Sequence, residues 1–128
     1  MLTELILTPA PLQVPSTLPT ALERSGNGAI ITFLGVVRGT EDGQQIAGLE
    51  YTAFEAMARH QFEILFRTAG ERWPVNSIRL IHRLGWVPAG EASLWVEVSS
   101  PHRGEAFSAC QWIIDEMKRV VPIWKQVR

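Results

Sequence analysis

The stretch "ASLWVEVSSPHRGEAFSACQWIIDEMKRV", Ala92–Val120, changes its hydrophobic period halfway along. Up to the serine pair Ser99–Ser100, Ala92, Leu94, Val96 and Val98 alternate with Ser93, Trp95, Glu97 and Ser99, which predicts a half-buried strand. Beyond it, Ala106, Phe107, Cys110, Ile113, Ile114, Met117 and Val121 recur at helical spacing. Ser100 is a candidate N-cap, and Pro101 suits the first helical position, where its missing N–H costs nothing. Pro122 cannot continue a regular helix and disfavours α conformation at Val121. The helix is therefore expected to end near Val120, with "PIWKQVR" leaving as an extended tail.

The same reading extends upstream. "LTELILT" predicts a short strand, "TPAPLQVPS" a proline-punctuated loop, and "TLPTALERSGNG" a short helix ending on glycine. "GAIITFLGVVR", Gly28–Arg38, is rich in Ile, Val and Phe between glycines and reads as a central strand. "GTEDGQQ" is a polar turn and "IAGLEYT" a returning strand. Thr52 and Glu55 have the spacing of a capping box, and Phe54, Ala58, Phe62 (or Gln61), Leu65 and Ala69 share one face. A helix is expected from Ala53 to about Arg72, before Pro74. "NSIRLIHRLGWV" reads as a strand and "PAGE" as a turn. The sum is one α+β domain over residues 1–128, with helices packed on a largely antiparallel sheet.

Composition bounds the function. The 128 residues carry a net charge of −1, so no global field attracts nucleic acid or an acidic membrane. Any anion site must be built locally. The single cysteine excludes an intrachain disulfide framework or a Cys-based zinc site, and a reducing cytoplasm is the expected location. "MLTELILTPAPL" lacks a basic n-region and is not read as a signal peptide. No apolar stretch approaches the roughly 18 residues of a membrane span. No His/Cys spacing suggests a metal, and the glycines match neither a phosphate-binding loop nor a dinucleotide fingerprint, so no cofactor is expected. Cys110 lies on an apolar helical stripe and reads as a small buried hydrophobe. His60 reads as a solvated helix residue.

What remains is a set of basic groups at structural transitions. Arg38 stands where a strand meets its loop, and His102 and Arg103 stand at a helix start. Lys118 lies near that helix's end, and Lys125 follows the proline break. A cation at a helix N-terminus opposes the helix dipole unless an anion sits between them. Arg103 and Lys118 share one ridge but are roughly 22 Å apart at 1.5 Å per residue. Within one subunit they would serve different pockets. In a two-fold dimer, Lys118 of one chain and His102–Arg103 of the other can line the same cleft.

The segments "GAIITFLGVVRG", "LEYTAFEAMA" and "RWPVNSIRLIHRLGWVPAGEASLWVEVSSPHRGEAFSACQWIIDEMKRVVPIWKQ" resemble the large, catalytic subunit of molybdopterin synthase. The resemblance covers nearly all of Gly28–Gln126. It implies an α/β hammerhead-type fold and a homodimer at the centre of a heterotetramer. It also implies a small ubiquitin-like sulfur-carrier subunit whose C-terminal Gly-Gly tail, charged as a thiocarboxylate, reaches the pocket. Two sulfurs would pass to cyclic pyranopterin monophosphate to form the dithiolene of molybdopterin. The matching substrate-contact positions are Val36, Val37, Arg38, His102, Arg103, Lys118, Lys125, Gln126 and Val127, with the His-Arg pair supplied by the neighbouring subunit.

Within that resemblance the catalytic candidates are Lys118, the main one, as oxyanion stabiliser or proton carrier, and Lys125, which also binds substrate and tail. Arg38, His102 and Arg103 hold phosphate and pterin, and Phe33 and Ile114 form apolar wall. Family members commonly continue past the "WK" motif with a further basic residue near the site, which makes Arg128 a candidate substitute. Two other readings stand beside this one: a non-enzymatic dimeric adaptor for a ubiquitin-like tail, and a different enzyme with a phosphate ligand.

Overall fold

A computed structural model describes residues 1–14 and 25–128. The expected helix in "TLPTALERSGNG" lies outside them over residues 17–24. The described elements are β1 (Leu2–Thr8), β2 (Ala29–Val36), the two-residue strands β3 (Thr40–Glu41) and β4 (Gln44–Gln45), and β5 (Gly48–Ala53). They continue as α1 (Glu55–Arg72), β6 (Ser77–Arg83), β7 (Gly85–Pro88), β8 (Ala92–Ser100), α2 (Arg103–Val120) and β9 (Ile123–Val127).

Strands β1, β6, β8 and β2 form one sheet in that order. Only the β1–β6 pair is parallel; β6–β8 and β8–β2 are antiparallel. A second sheet orders β7, β5 and β9, all antiparallel, and β3–β4 is a small hairpin. Both helices cover one face of the four-stranded sheet. Phe62, Leu65 and Phe66 of α1 meet Ile113 and Met117 of α2 over Ile78, Leu80, Val96 and Val98. Among the described residues no helix is long and apolar enough to cross a membrane.

Several sequence expectations change here. The run Gly28–Arg38 is an edge strand, not a central one: β2 pairs only with β8 and leaves Phe33, Leu34 and Val36 exposed. Its apolar residues are surface and cavity wall as much as core. Strand β8 is buried on both faces rather than on one, because its second face is also covered. There the Arg79 guanidinium lies 5.2 Å from the Trp95 ring and 3.4 Å from a Glu97 oxygen. Alternation reports that two faces differ, not that one is wet.

Both helix caps also differ. Thr52 and Ala53 are drawn into the β5–β9 ladder, so α1 starts at Glu55 behind Phe54, with no side-chain cap. Ser100 pairs with Ala29 and donates its hydroxyl to the His102 carbonyl, so α2 starts at Arg103 behind His102. Pro101 is part of the link, not of the helix. A Cβ on Gly28 would collide with the Pro101 carbonyl oxygen, so glycine lets that link lie close against β2.

The expected strand across "NSIRLIHRLGWV" divides into β6 and β7, which belong to different sheets. Gly85 makes the break with φ +81°, a conformation most side chains resist. The C-terminal segment is not a free tail: Ile123–Val127 pairs along β5.

Cys110 is buried in the main core, where desolvation pushes its thiol up to about 11 from 9.0. The folded state therefore holds its proton more tightly than the unfolded chain. The corresponding stability is present below pH 9.0 and is lost as pH rises from 9.0 through about 11. Urea unfolding across that window is expected to show wild type losing about 2–3 kcal/mol relative to Cys110→Ala. Parallel pH profiles for the two proteins would remove this account.

Candidate active site

The β7–β5–β9 sheet closes over the end of the four-stranded sheet where β2 runs into its loop. The joint is a small core of Val37, Leu49 and Val87 with Ile46 and Tyr51. Two backbone bonds hold the loop after β2 in place: Val37 N–H donates to Glu91 at 2.9 Å, and Gly90 N–H donates to Val37 at 2.8 Å. Between this joint and the last turns of α2 lies a cavity of about 720 Å³, within the range typical of ligand sites.

Five of the site positions expected from sequence line this cavity: Val36, Val37, Arg38, Lys118 and Lys125. They come from three elements. The β2 end brings Arg38 to the rim, where its guanidinium is exposed and 3.8 Å from a Glu41 oxygen. Helix α2 brings Lys118 from its last turn. Strand β9 brings Lys125, opposite Tyr51 on β5. Lys118 and Lys125 have no acidic partner among the described residues. Three cations facing one carboxylate make a cavity suited to an anion. Phe33 and Ile114 line it as the expected apolar wall.

The other four expected positions do not line this cavity. His102 and Arg103 are exposed at the far end of α2. Gln126 sits opposite Glu50 in the ladder, and Val127 opposite Leu49 beyond it. Arg128 does not fill the cavity either: its Nε lies 3.5 Å from a Glu50 oxygen. Alternation along β9 places Lys125 and Gln126 on opposite faces, which residue type alone does not reveal.

Sequence reading missed the cavity floor. His82 is buried, and its Nδ1 lies 2.7 Å from the Arg83 carbonyl oxygen. Burial lowers its pKa, partly offset by that hydrogen bond. The Tyr51 ring meets the His82 ring edge-on at 5.0 Å, and the Tyr51 hydroxyl donates to Ser93 Oγ at 3.4 Å. All three residues line the cavity. Their only sequence signal is polarity within apolar strands. Among the described residues no group of His, Cys, Asp and Glu is placed to hold a metal ion.

Fold and site together define an α+β protein with a cation-rimmed cavity between a sheet end and a helix C-terminus. The sequence model of the family described as "MoaE protein" matches residues 7–120, and the chain belongs to that family. A molybdopterin synthase catalytic subunit from Oryza sativa subsp. japonica is 44% identical over 99 residues, covering 77% of this chain and 51% of the relative. The one from Pyrococcus abyssi is 41% identical over 102 residues, covering 80% and 69%. The chain thus spans about half the length of the rice relative. Among solved structures, molybdopterin synthase from Staphylococcus aureus superposes with a TM-score of 0.80 at 30% identity, over 98% of this chain and 89% of that one. A protein–protein complex of subunits 1 and 2 of molybdopterin-converting factor from Helicobacter pylori shares the fold, with a TM-score of 0.71 at 24% identity over 98% and 83%.

Proposed function

We propose that this chain is the catalytic subunit of a molybdopterin synthase, a sulfurtransferase of molybdenum cofactor biosynthesis acting in the cytoplasm. The observation that carries the proposal is the convergence of Arg38, Lys118 and Lys125 on one cavity. The naming of the curated relatives agrees with it. The cavity-lining residues include no cysteine, so the sulfur must arrive on a partner. That partner is a small ubiquitin-like carrier subunit ending in a Gly-Gly thiocarboxylate, and the acceptor is cyclic pyranopterin monophosphate.

The chemistry follows from the charges. In each transfer the thiocarboxylate sulfur forms a bond to a substrate carbon as that carbon's bond to oxygen breaks, the oxygen leaving protonated as water or on the phosphate. Water then adds to the acyl carbon, and the acyl carbon–sulfur bond breaks. Sulfur stays on the substrate, and the carrier leaves as a carboxylate. Water addition passes through a tetrahedral oxyanion, which the Lys118 ammonium stabilises. Arg38 offers the phosphate a bidentate contact, and Lys125 offers the tail carboxyl a compact charge.

The direct test mixes the protein with thiocarboxylated carrier and precursor. A dithiolene product is expected. Carrier binding without product would favour the adaptor reading and overturn this one.

The proposal includes a homodimer within a heterotetramer, with His102 and Arg103 completing the neighbour's cavity. Their exposure and their absence from their own subunit's cavity support this. Equimolar Lys118→Ala and Arg103→Ala chains, denatured and refolded together, would then form mixed dimers with one intact and one doubly altered site. Random pairing makes half the dimers mixed, so about one quarter of wild-type sites should return. Activity no greater than the sum of the two separate variants would exclude the shared site.

A further inference from the structure

We propose that the cavity floor of His82, Tyr51 and Ser93 is a second recognition element, which reads the hydrogen-bonding edge of a nitrogen heterocycle while the cationic rim takes its phosphate. This deepens the functional reading above and rests on it.

The surroundings of His82 fix its tautomer. A carbonyl oxygen only accepts, so the ring nitrogen 2.7 Å from the Arg83 oxygen carries a hydrogen. Burial holds the imidazole neutral, since desolvation disfavours its charged form. Nε2 is then a bare acceptor, and it has no hydrogen-bond partner among the described residues. The ring itself is fixed from two sides: the Arg83 carbonyl holds one nitrogen, and the Tyr51 ring stands edge-on against it. Arg83 is in turn tied to Glu91 by a 2.7 Å ion pair.

Tyr51 and Ser93 complete the set. The Tyr51 hydroxyl spends its hydrogen on Ser93 Oγ, so Tyr51 offers acceptor lone pairs and Ser93 retains one hydrogen to donate. The floor thus presents two acceptors and one donor. An aminopyrimidinone edge, as in a pterin, presents the complement: ring N–H and amino donors beside a carbonyl acceptor. A purely apolar ligand would leave these buried polar atoms unpaired, which costs affinity. Arg38 lines the same cavity as Tyr51, His82 and Ser93, so ring contacts at the floor and a phosphate contact at the rim are open to one small molecule.

The test uses the whole protein with its carrier. His82→Asn keeps an amide N–H near the Nδ1 position for the Arg83 carbonyl but removes the Nε2 acceptor. It is expected to raise KM for the precursor about tenfold, the effect of one lost hydrogen bond to a buried partner. KM for the carrier should stay unchanged, which a general structural defect would not produce. A ligand-side measurement stands independent of folding: wild type should bind pterin about tenfold more tightly than its ring-N-methylated derivative. Equal affinity for the two pterins overturns the inference, as does an unchanged precursor KM in a folded His82→Asn protein. Wild type that forms no dithiolene and binds no precursor overturns the functional reading itself, and this inference with it.

Discussion

Lys118→Ala is expected to lower the rate of dithiolene formation by about 10²–10³-fold, the usual consequence of removing one charge from a developing oxyanion. The loss should appear mainly in kcat. Lys118 is exposed on the last turn of α2 and has no acidic partner among the described residues, so its removal leaves no buried group unsatisfied. Folding should therefore survive, and a melting curve close to wild type is part of the expected result. Lys118→Arg keeps charge but not the compact ammonium geometry, and only partial rescue is expected. Single-turnover measurement with preloaded carrier separates this from weakened binding. A variant that turns over at the wild-type rate would remove Lys118 from the chemistry and leave Lys125 and Arg38 to explain the cavity.

Phe62→Ala is expected to lower unfolding stability by about 3–5 kcal/mol, the range for removing a buried aromatic side chain. Phe62 is fully buried, packs against Phe66 with ring centroids 6.0 Å apart, and belongs to the cluster that joins both helices to the sheet. The void cannot collapse easily, because Ala58, Ala69, Ala106 and Ala109 around that helix pair are already small and buried. Typical domain stabilities are about 5–15 kcal/mol, so the change approaches the whole margin. His60→Ala on the same helix, exposed at its surface, should change stability by less than about 0.5 kcal/mol. Urea denaturation of the two variants checks the contrast; equal effects would mean that α1 is not held by this cluster.

The α+β organisation was legible because helix and strand periods differ. The period change inside Ala92–Val120 placed β8 and α2 with small boundary errors, and the apolar face of α1 was readable from Phe62, Leu65 and Ala69. Cap chemistry misled at both helix starts for one reason: Thr52 and Ser100 entered β-ladders. Strand partners come from distant sequence, and a local cap cannot compete with a whole ladder. The same limit turned a predicted tail into β9, and a predicted central strand into an edge.

The candidate site divides in the same way. Arg38, Lys118 and Lys125 stood out in the sequence as cations at element ends, and the structure brings them to one cavity. His82, Tyr51 and Ser93 carried no spacing signal, since β6, β5 and β8 meet only after two sheets pack together. Taken alone, the sequence determined the elements, their apolar faces and the charges at their ends, because those follow from local periodicity and residue chemistry. Tertiary structure decided which strands pair, which face of β9 reaches the cavity, and which buried polar groups form its floor. Those outcomes depend on hydrogen bonding and packing between segments far apart in the chain, where no local pattern reaches.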